Sequence, residues 1–189
     1  MENTEKQHLE LITQMISIAR KEYDDDSYIY LIWGWTVSIA CLAQYVLMRM
    51  NKDYSGIVWL ICIPLAIILQ IVLMLRKRNS TRVKTHMDKI IGFVWIAVGV
   101  CIAAVLFSSD ILQGNTYPVL ILLYGIGTFI SGSVMNFKPM KIGGICCWVI
   151  GLTAFRVTFE YQLLLLPLSL ISSYIIPGYM LKARFKSNV

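Results

Sequence analysis

Few side chains in this sequence could do chemistry, and most of them stand at the borders of apolar runs. Arg156 and Glu160 are four residues apart in "RVTFEYQ", a spacing that pairs a guanidinium with a carboxylate on one face of a continuing helix. The alternative is a tight turn, from which Arg156 reaches outward to water. Ionisable groups in hydrocarbon are costly and therefore mark functional positions. Arg156, Glu160 and Asp110, with the uncharged Gln44, Gln70 and Tyr124, are accordingly the candidates for a polar pocket open to the outside. A second concentration of charge, Asp24, Asp25 and Asp26, precedes the first apolar run. Adjacent side chains splay about 100° apart around a helix, so the triplet is a poor metal cage by itself. Capping is the ordinary role: Asp26 or Ser27 can accept from free backbone N–H groups, and negative charge suits the positive helix end. A docking contact with Arg76, Lys77 and Arg78 is the other reading.

The sequence contains no HExxH, GxSxG, phosphate loop or GxGxxG. His8 and His86 are far apart, and no nucleophile or metal can be matched with a base. The five cysteines, Cys41, Cys62, Cys101, Cys146 and Cys147, fall inside apolar runs without metal-ligand spacing. Neither an enzyme, a metal site nor a bound cofactor is expected.

The elements that must position these residues are apolar and long. Of the 189 residues 57% are hydrophobic and only 15% charged, with a mean hydropathy of +0.66. A water-soluble domain needs more polar surface than that. Apolar residues cluster in six blocks, 28–48, 56–75, 90–107, 117–136, 142–157 and 161–180, most of them near the ~20 residues that cross ~30 Å of hydrocarbon as a helix. Stretches such as "IVWLICIPLAIILQIVLMLR" do not alternate, which argues against a β-barrel. The expected fold is all-α: a polytopic integral membrane protein with a six-helix transmembrane bundle over 28–181. Residues 1–27 would form a cytoplasmic amphipathic helix and acidic linker, and 182–189 a basic tail. No cleavable leader is evident, so the first span is expected to act as the insertion signal.

Loop charges orient the bundle. Arg76, Lys77, Arg78, Arg82, Lys84, Lys89, Lys138, Lys141, Lys182, Arg184 and Lys186 share one side, against Arg49, Lys52 and Arg156 on the other. The positive-inside rule then places both termini in the cytoplasm. The net charge of +6 follows from this topology, and nucleic acid is not an expected partner.

Within 4–22, Leu9, Leu11, Ile12, Met15, Ile16, Ile18 and Ala19 fill one half of a helix and polar residues the other. Helices that lie on lipid are usually basic, and this one is acidic. Docking on the protein itself or on a second subunit, a separate protein partner, and the lipid surface are the three readings. "KIIGFVWIAVG" (89–99) and "KIGGICCWVIG" (141–151) match at Lys, Ile and both glycines, and Pro64, Pro118 and Pro167 recur at similar intervals. Three helical hairpins describe this most simply; chance recurrence of lysines at membrane edges is the alternative. Gly92 and Gly99, Gly125 and Gly132, and Gly144 and Gly151 are each seven apart, so each pair shares a helix face suited to close packing, including a dimer seam.

The opening "LELITQMISIARKEYDD" followed by "YIYLIWGWTVSIACLAQYVL" resembles small multi-spanning inner-membrane proteins of Bacteroidetes. That resemblance covers the first fifty residues and implies a bacterial inner-membrane location, without implying a substrate. The expected function is non-enzymatic: an anchor, sensor or regulatory subunit whose cytoplasmic face contacts a protein partner. A small oligomeric transporter or channel is the rival.

Overall fold

The computed structural model describes residues 27–50, 56–77 and 86–186, all of them in helices or the turns between them. The amphipathic segment, Asp24, Asp25, Asp26 and Arg78 lie outside the described residues. The helices are α1 (Ser27–Arg49), α2 (Ile57–Lys77), α3 (His86–Phe107), α4 (Thr116–Val134), α5 (Lys138–Ala154), α6 (Phe159–Leu170) and α7 (Ile176–Lys186). A π-helical turn, Ile171–Ile175, joins α6 to α7 in one rod. Five helical stretches are long and apolar enough to cross a membrane: α1, α2, α3, α4 and the α6–α7 rod. This is compatible with a multi-pass membrane protein. The sixth expected span, α5, has 17 residues, about 25 Å of helix.

Boundaries follow backbone chemistry rather than hydropathy. The block 117–136 stops being helix at Val134 because Asn136 takes a left-handed φ of 48°, a conformation asparagine tolerates. Phe137 N–H then reaches back to the Gly132 carbonyl at 2.8 Å and Asn136 N–H to that of Ser133 at 3.2 Å, which satisfies carbonyls that the helix end leaves free. Phe137 is extended, and Pro139 stands in the first turn of α5, where a missing N–H costs nothing. So α5 begins at Lys138, four residues before the apolar block 142–157.

The core lies among α1, α4, α5 and the α6–α7 rod. Antiparallel α4 and α5 meet through their glycines. A methyl at Gly132 would fall 2.7 Å from Met140 Cβ, one at Gly144 2.9 Å from the Gly125 carbonyl, and one at Gly151 2.8 Å from Leu122. Helix α1 runs antiparallel to the α6–α7 rod along its whole length. Arg49 meets Glu160 at 3.6 Å at one end, Gly178 meets Leu31 near the other, and Lys182 lies 4.9 Å over the Tyr28 ring. Helices α2 and α3 are peripheral. α3 sets Trp95 against Gly127 of α4. Leu60 at 76% and Phe93 at 70% exposure are typical of their outer faces, which suit lipid rather than water.

Candidate polar sites within the bundle

Glutamine is an uncommon side chain for a helix this apolar, and both glutamines of α1 and α2 are engaged. Trp33 of α1 donates its indole N–H to Gln70 Oε1 of α2 at 2.8 Å. Trp59 of α2 donates to Gln44 Oε1 of α1 at 2.6 Å, and the same oxygen accepts from the Tyr117 hydroxyl of α4 at 2.7 Å. Tyr117 packs in turn against Phe159 of α6, the rings tilted with centroids 5.2 Å apart. One buried amide oxygen thus joins three helices.

Deeper in the bundle, Tyr30, Trp95, Tyr124 and Tyr174 form an aromatic cluster. Tyr174 is central, with centroids 5.7 Å from Tyr30, 5.9 Å from Trp95 and 5.8 Å from Tyr124, all edge-on. Edge-to-face contact is the favoured arrangement for such rings, and at these separations they pack on one another. Thr128 donates to the Tyr124 carbonyl at 2.7 Å. Ser38 Oγ, Ser131 Oγ, Gln162 Oε1 and the Tyr174 hydroxyl are buried without a hydrogen-bond partner.

The six pocket candidates do not converge. Gln44 and Gln70 sit in separate tryptophan bonds, and Tyr124 belongs to the aromatic cluster. Asp110 is exposed in the turn after α3, and Arg156 is exposed in the turn between α5 and α6. Glu160 does not pair with Arg156, because helix ends at Ala154 and restarts at Phe159. It pairs with Arg49, whose Nε also donates to the Tyr45 hydroxyl at 3.3 Å. Of the proposed cytoplasmic contacts, Arg76 and Lys77 fall in the last turn of α2. Of the glycines, Gly125, Gly132, Gly144 and Gly151 line the α4–α5 seam, whereas a methyl on Gly92 or Gly99 would meet nothing within 4 Å.

The ends of the bundle differ in charge. Lys89, Lys138, Lys141 and Lys182 share one end by topology; Arg49, Asp110, Arg156 and Glu160 share the other. No buried side chain among the described residues is an Asp, Glu, Lys or Arg, and no group of three His, Cys, Asp or Glu among them could hold a metal. Both adjacent cysteines are free thiols: Cys147 is buried against the α6–α7 rod, where its thiol donates to the Ser169 carbonyl at 3.6 Å, and Cys146 is half-buried.

The Trp–Gln bonds had a signal in the sequence. Trp33 and Gln44 are eleven apart, as are Trp59 and Gln70. Eleven residues is close to three full turns, which keeps both members on one helix face. No family model matches the chain, and neither a curated protein nor a solved structure does.

Proposed function

We propose that this chain is a non-enzymatic, six-span protein of a bacterial inner membrane, with both termini cytoplasmic. It acts as an anchor, sensor or regulatory subunit that meets a protein partner through its cytoplasmic face. The observation that carries this reading is where polar contact remains available. Between α1 and α2 the oxygens of Gln44 and Gln70 are bonded to tryptophans of the facing helix. Lys89, Lys138, Lys141 and Lys182 are gathered at one end, at the starts of α3 and α5 and on α7. A partner carrying acidic groups suits that end.

Affinity purification from native membranes tests this, comparing the full-length protein with a version lacking residues 1–26. A partner retained only by the full-length protein supports an adaptor or sensor and places the contact on the N-terminal segment. If neither form retains a partner, the reading loses its support.

A small oligomeric transporter or channel is the second reading, favoured by the buried, unpartnered Ser38, Ser131, Gln162 and Tyr174. It requires a wet path between helices. Cysteines placed at Gln44, Gln70 and Tyr124 should then react with a water-soluble maleimide as fast as one at Arg156. A sealed bundle leaves Arg156→Cys alone reactive.

A further inference from the structure

Helix α5 presents three faces. Gly143 and Cys147 meet the α6–α7 rod, and Gly144 and Gly151 meet α4. The third face, turned away from both, carries Lys138, Ile142, Ile145, Val149 and Leu152. Their spacing of four, three, four and three residues keeps them in one row. The four apolar side chains are 47–62% exposed, and Lys138 is exposed above them. Lys141, half-buried, stands at the edge of the row, its backbone nitrogen beside Gly132 of α4.

The helices around these lysines offer them no carboxylate. α1, α4, α5 and the α6–α7 rod contain a single acidic residue, Glu160, and it pairs with Arg49 at the opposite end. Both lysines stand in the first turn of α5, where negative rather than positive charge is favoured, and no acidic residue offsets them there. Depth selects the kind of anion that can. The 17 residues of α5 span about 25 Å, less than ~30 Å of hydrocarbon, and Lys141 lies about 4.5 Å further in than Lys138. An acidic soluble protein can meet lysines that project into water, but it cannot cover the apolar row beneath them. A phospholipid covers both.

We propose that Lys138 and Lys141 hold the headgroup phosphate of an anionic phospholipid, whose acyl chains lie along Ile142, Ile145, Val149 and Leu152. Trp148 bounds this row on the α4 side, its ring packed against Phe129 with centroids 5.1 Å apart. Zwitterionic lipids also carry a phosphate, but their own cationic group neutralises it. Two lysines therefore select a headgroup with net negative charge. The site does not rest on a protein partner, and it leaves Lys89 and Lys182 free to meet one.

Native mass spectrometry of the full-length protein tests it, after titration in detergent micelles with phosphatidylglycerol or phosphatidylcholine. The native protein should hold one phosphatidylglycerol far more tightly than phosphatidylcholine. Lys138→Gln with Lys141→Gln should weaken that binding roughly thirtyfold, equivalent to about 1 kcal/mol for each lysine. Lys138→Arg with Lys141→Arg keeps the charge and should keep the lipid. Lys89→Gln with Lys182→Gln removes as much charge from the same end and should leave binding nearly unchanged. Inorganic phosphate should not displace the lipid, because it gains nothing from the apolar row. Should the double glutamine variant lose helix content by circular dichroism, Lys138→Gln alone, at an exposed position, decides. Equal binding of the two lipids overturns the proposal, and so does a glutamine variant that binds phosphatidylglycerol as the native protein does. An equal loss for the Lys89 and Lys182 variant, or loss in the arginine variant, overturns it too. Displacement by inorganic phosphate would leave only a free-anion site, and a polypeptide retained in place of lipid would assign the row to protein; either result also overturns it.

Discussion

Trp33 donates to Gln70 at 2.8 Å, and the reciprocal bond, Trp59 to Gln44 at 2.6 Å, lies eleven residues along both α1 and α2. Each helix supplies one tryptophan and one glutamine. Because eleven residues return to the same face, the two bonds lie on one seam roughly 16 Å apart at 1.5 Å per residue. A slip of one residue, or a rotation of either helix, breaks both together. Apolar surface alone could not specify this register, since lipid is as good a neighbour for leucine as another leucine. Polar pairs can, because hydrocarbon offers no water to replace a lost partner.

Gln44 and Gln70 should therefore differ in weight. Gln70→Leu frees one indole, at about 0.6–2 kcal/mol for an interhelical bond in a membrane. Gln44→Leu frees both Trp59 and Tyr117 and should cost roughly twice that, given that each buried donor left unmet costs about 1–3 kcal/mol. Reversible unfolding in mixed detergent micelles measures both. A cycle with Trp33→Phe and Gln70→Leu should show non-additivity, while Trp33→Phe with Gln44→Leu should add simply. Equal losses for the two leucine variants would mean that Gln44 does not join three helices.

The glycines make a second contrast. Gly132 and Gly144 face backbone atoms at 2.8 and 2.9 Å from an added methyl, and backbone cannot swing aside. Gly132→Ala and Gly144→Ala should each destabilise by about 1–3 kcal/mol, the usual cost of overpacking. Gly92→Ala and Gly99→Ala, facing open space, should leave the melting temperature unchanged or slightly raised, because alanine is the better helix former. A loss at Gly92 or Gly99 comparable to that at Gly144 would reveal a protein neighbour on α3, such as a second copy of the chain.

This contrast marks what the sequence could and could not convey. Apolar length located the helices, because a backbone in hydrocarbon must bond within itself. Seven-residue glycine spacing identified faces that admit close approach, but it reads the same for α3 as for α4 and α5. Whether such a face meets protein or lipid depends on tertiary placement. Arg156 and Glu160 had the spacing of a helical pair, yet the helix breaks between them and Glu160 turns to Arg49. Gln44 and Gln70 stood out as polar residues in apolar runs; their tryptophan partners were marked only by the shared spacing of eleven residues. The π-turn has one local mark, Pro177 two residues beyond "ISSYI", whereas the room for it comes from Gly34 and Gly143, far away in the chain.

Two buried tyrosines should respond oppositely to loss of the hydroxyl. Tyr117→Phe removes a 2.7 Å bond to Gln44 and should destabilise by about 1 kcal/mol. Tyr174→Phe removes a hydroxyl with no partner while keeping the ring that Tyr30, Trp95 and Tyr124 pack against. It should be neutral or stabilising, by up to about 1 kcal/mol. Thermal unfolding of the two variants side by side decides; a clear loss for Tyr174→Phe would show that its hydroxyl is bonded in the working protein.

The short helix α5 supports the last prediction. Its 17 residues give about 25 Å at 1.5 Å per residue, less than the ~30 Å of a typical hydrocarbon core. Its ends nevertheless carry Lys138 on one side and Arg156, in the following turn, on the other. In right-side-out vesicles a membrane-impermeant maleimide should label Arg156→Cys and spare Lys138→Cys; in inverted vesicles the pattern should reverse. Labelling of both from one side would show that α5 does not cross, leaving five spans and termini in different compartments. The opposite sidedness, with Lys138→Cys labelled from outside, would invert the topology. It would also take the lysine-rich end away from any cytoplasmic partner, since that partner was assigned from the loop charges that place this end inside.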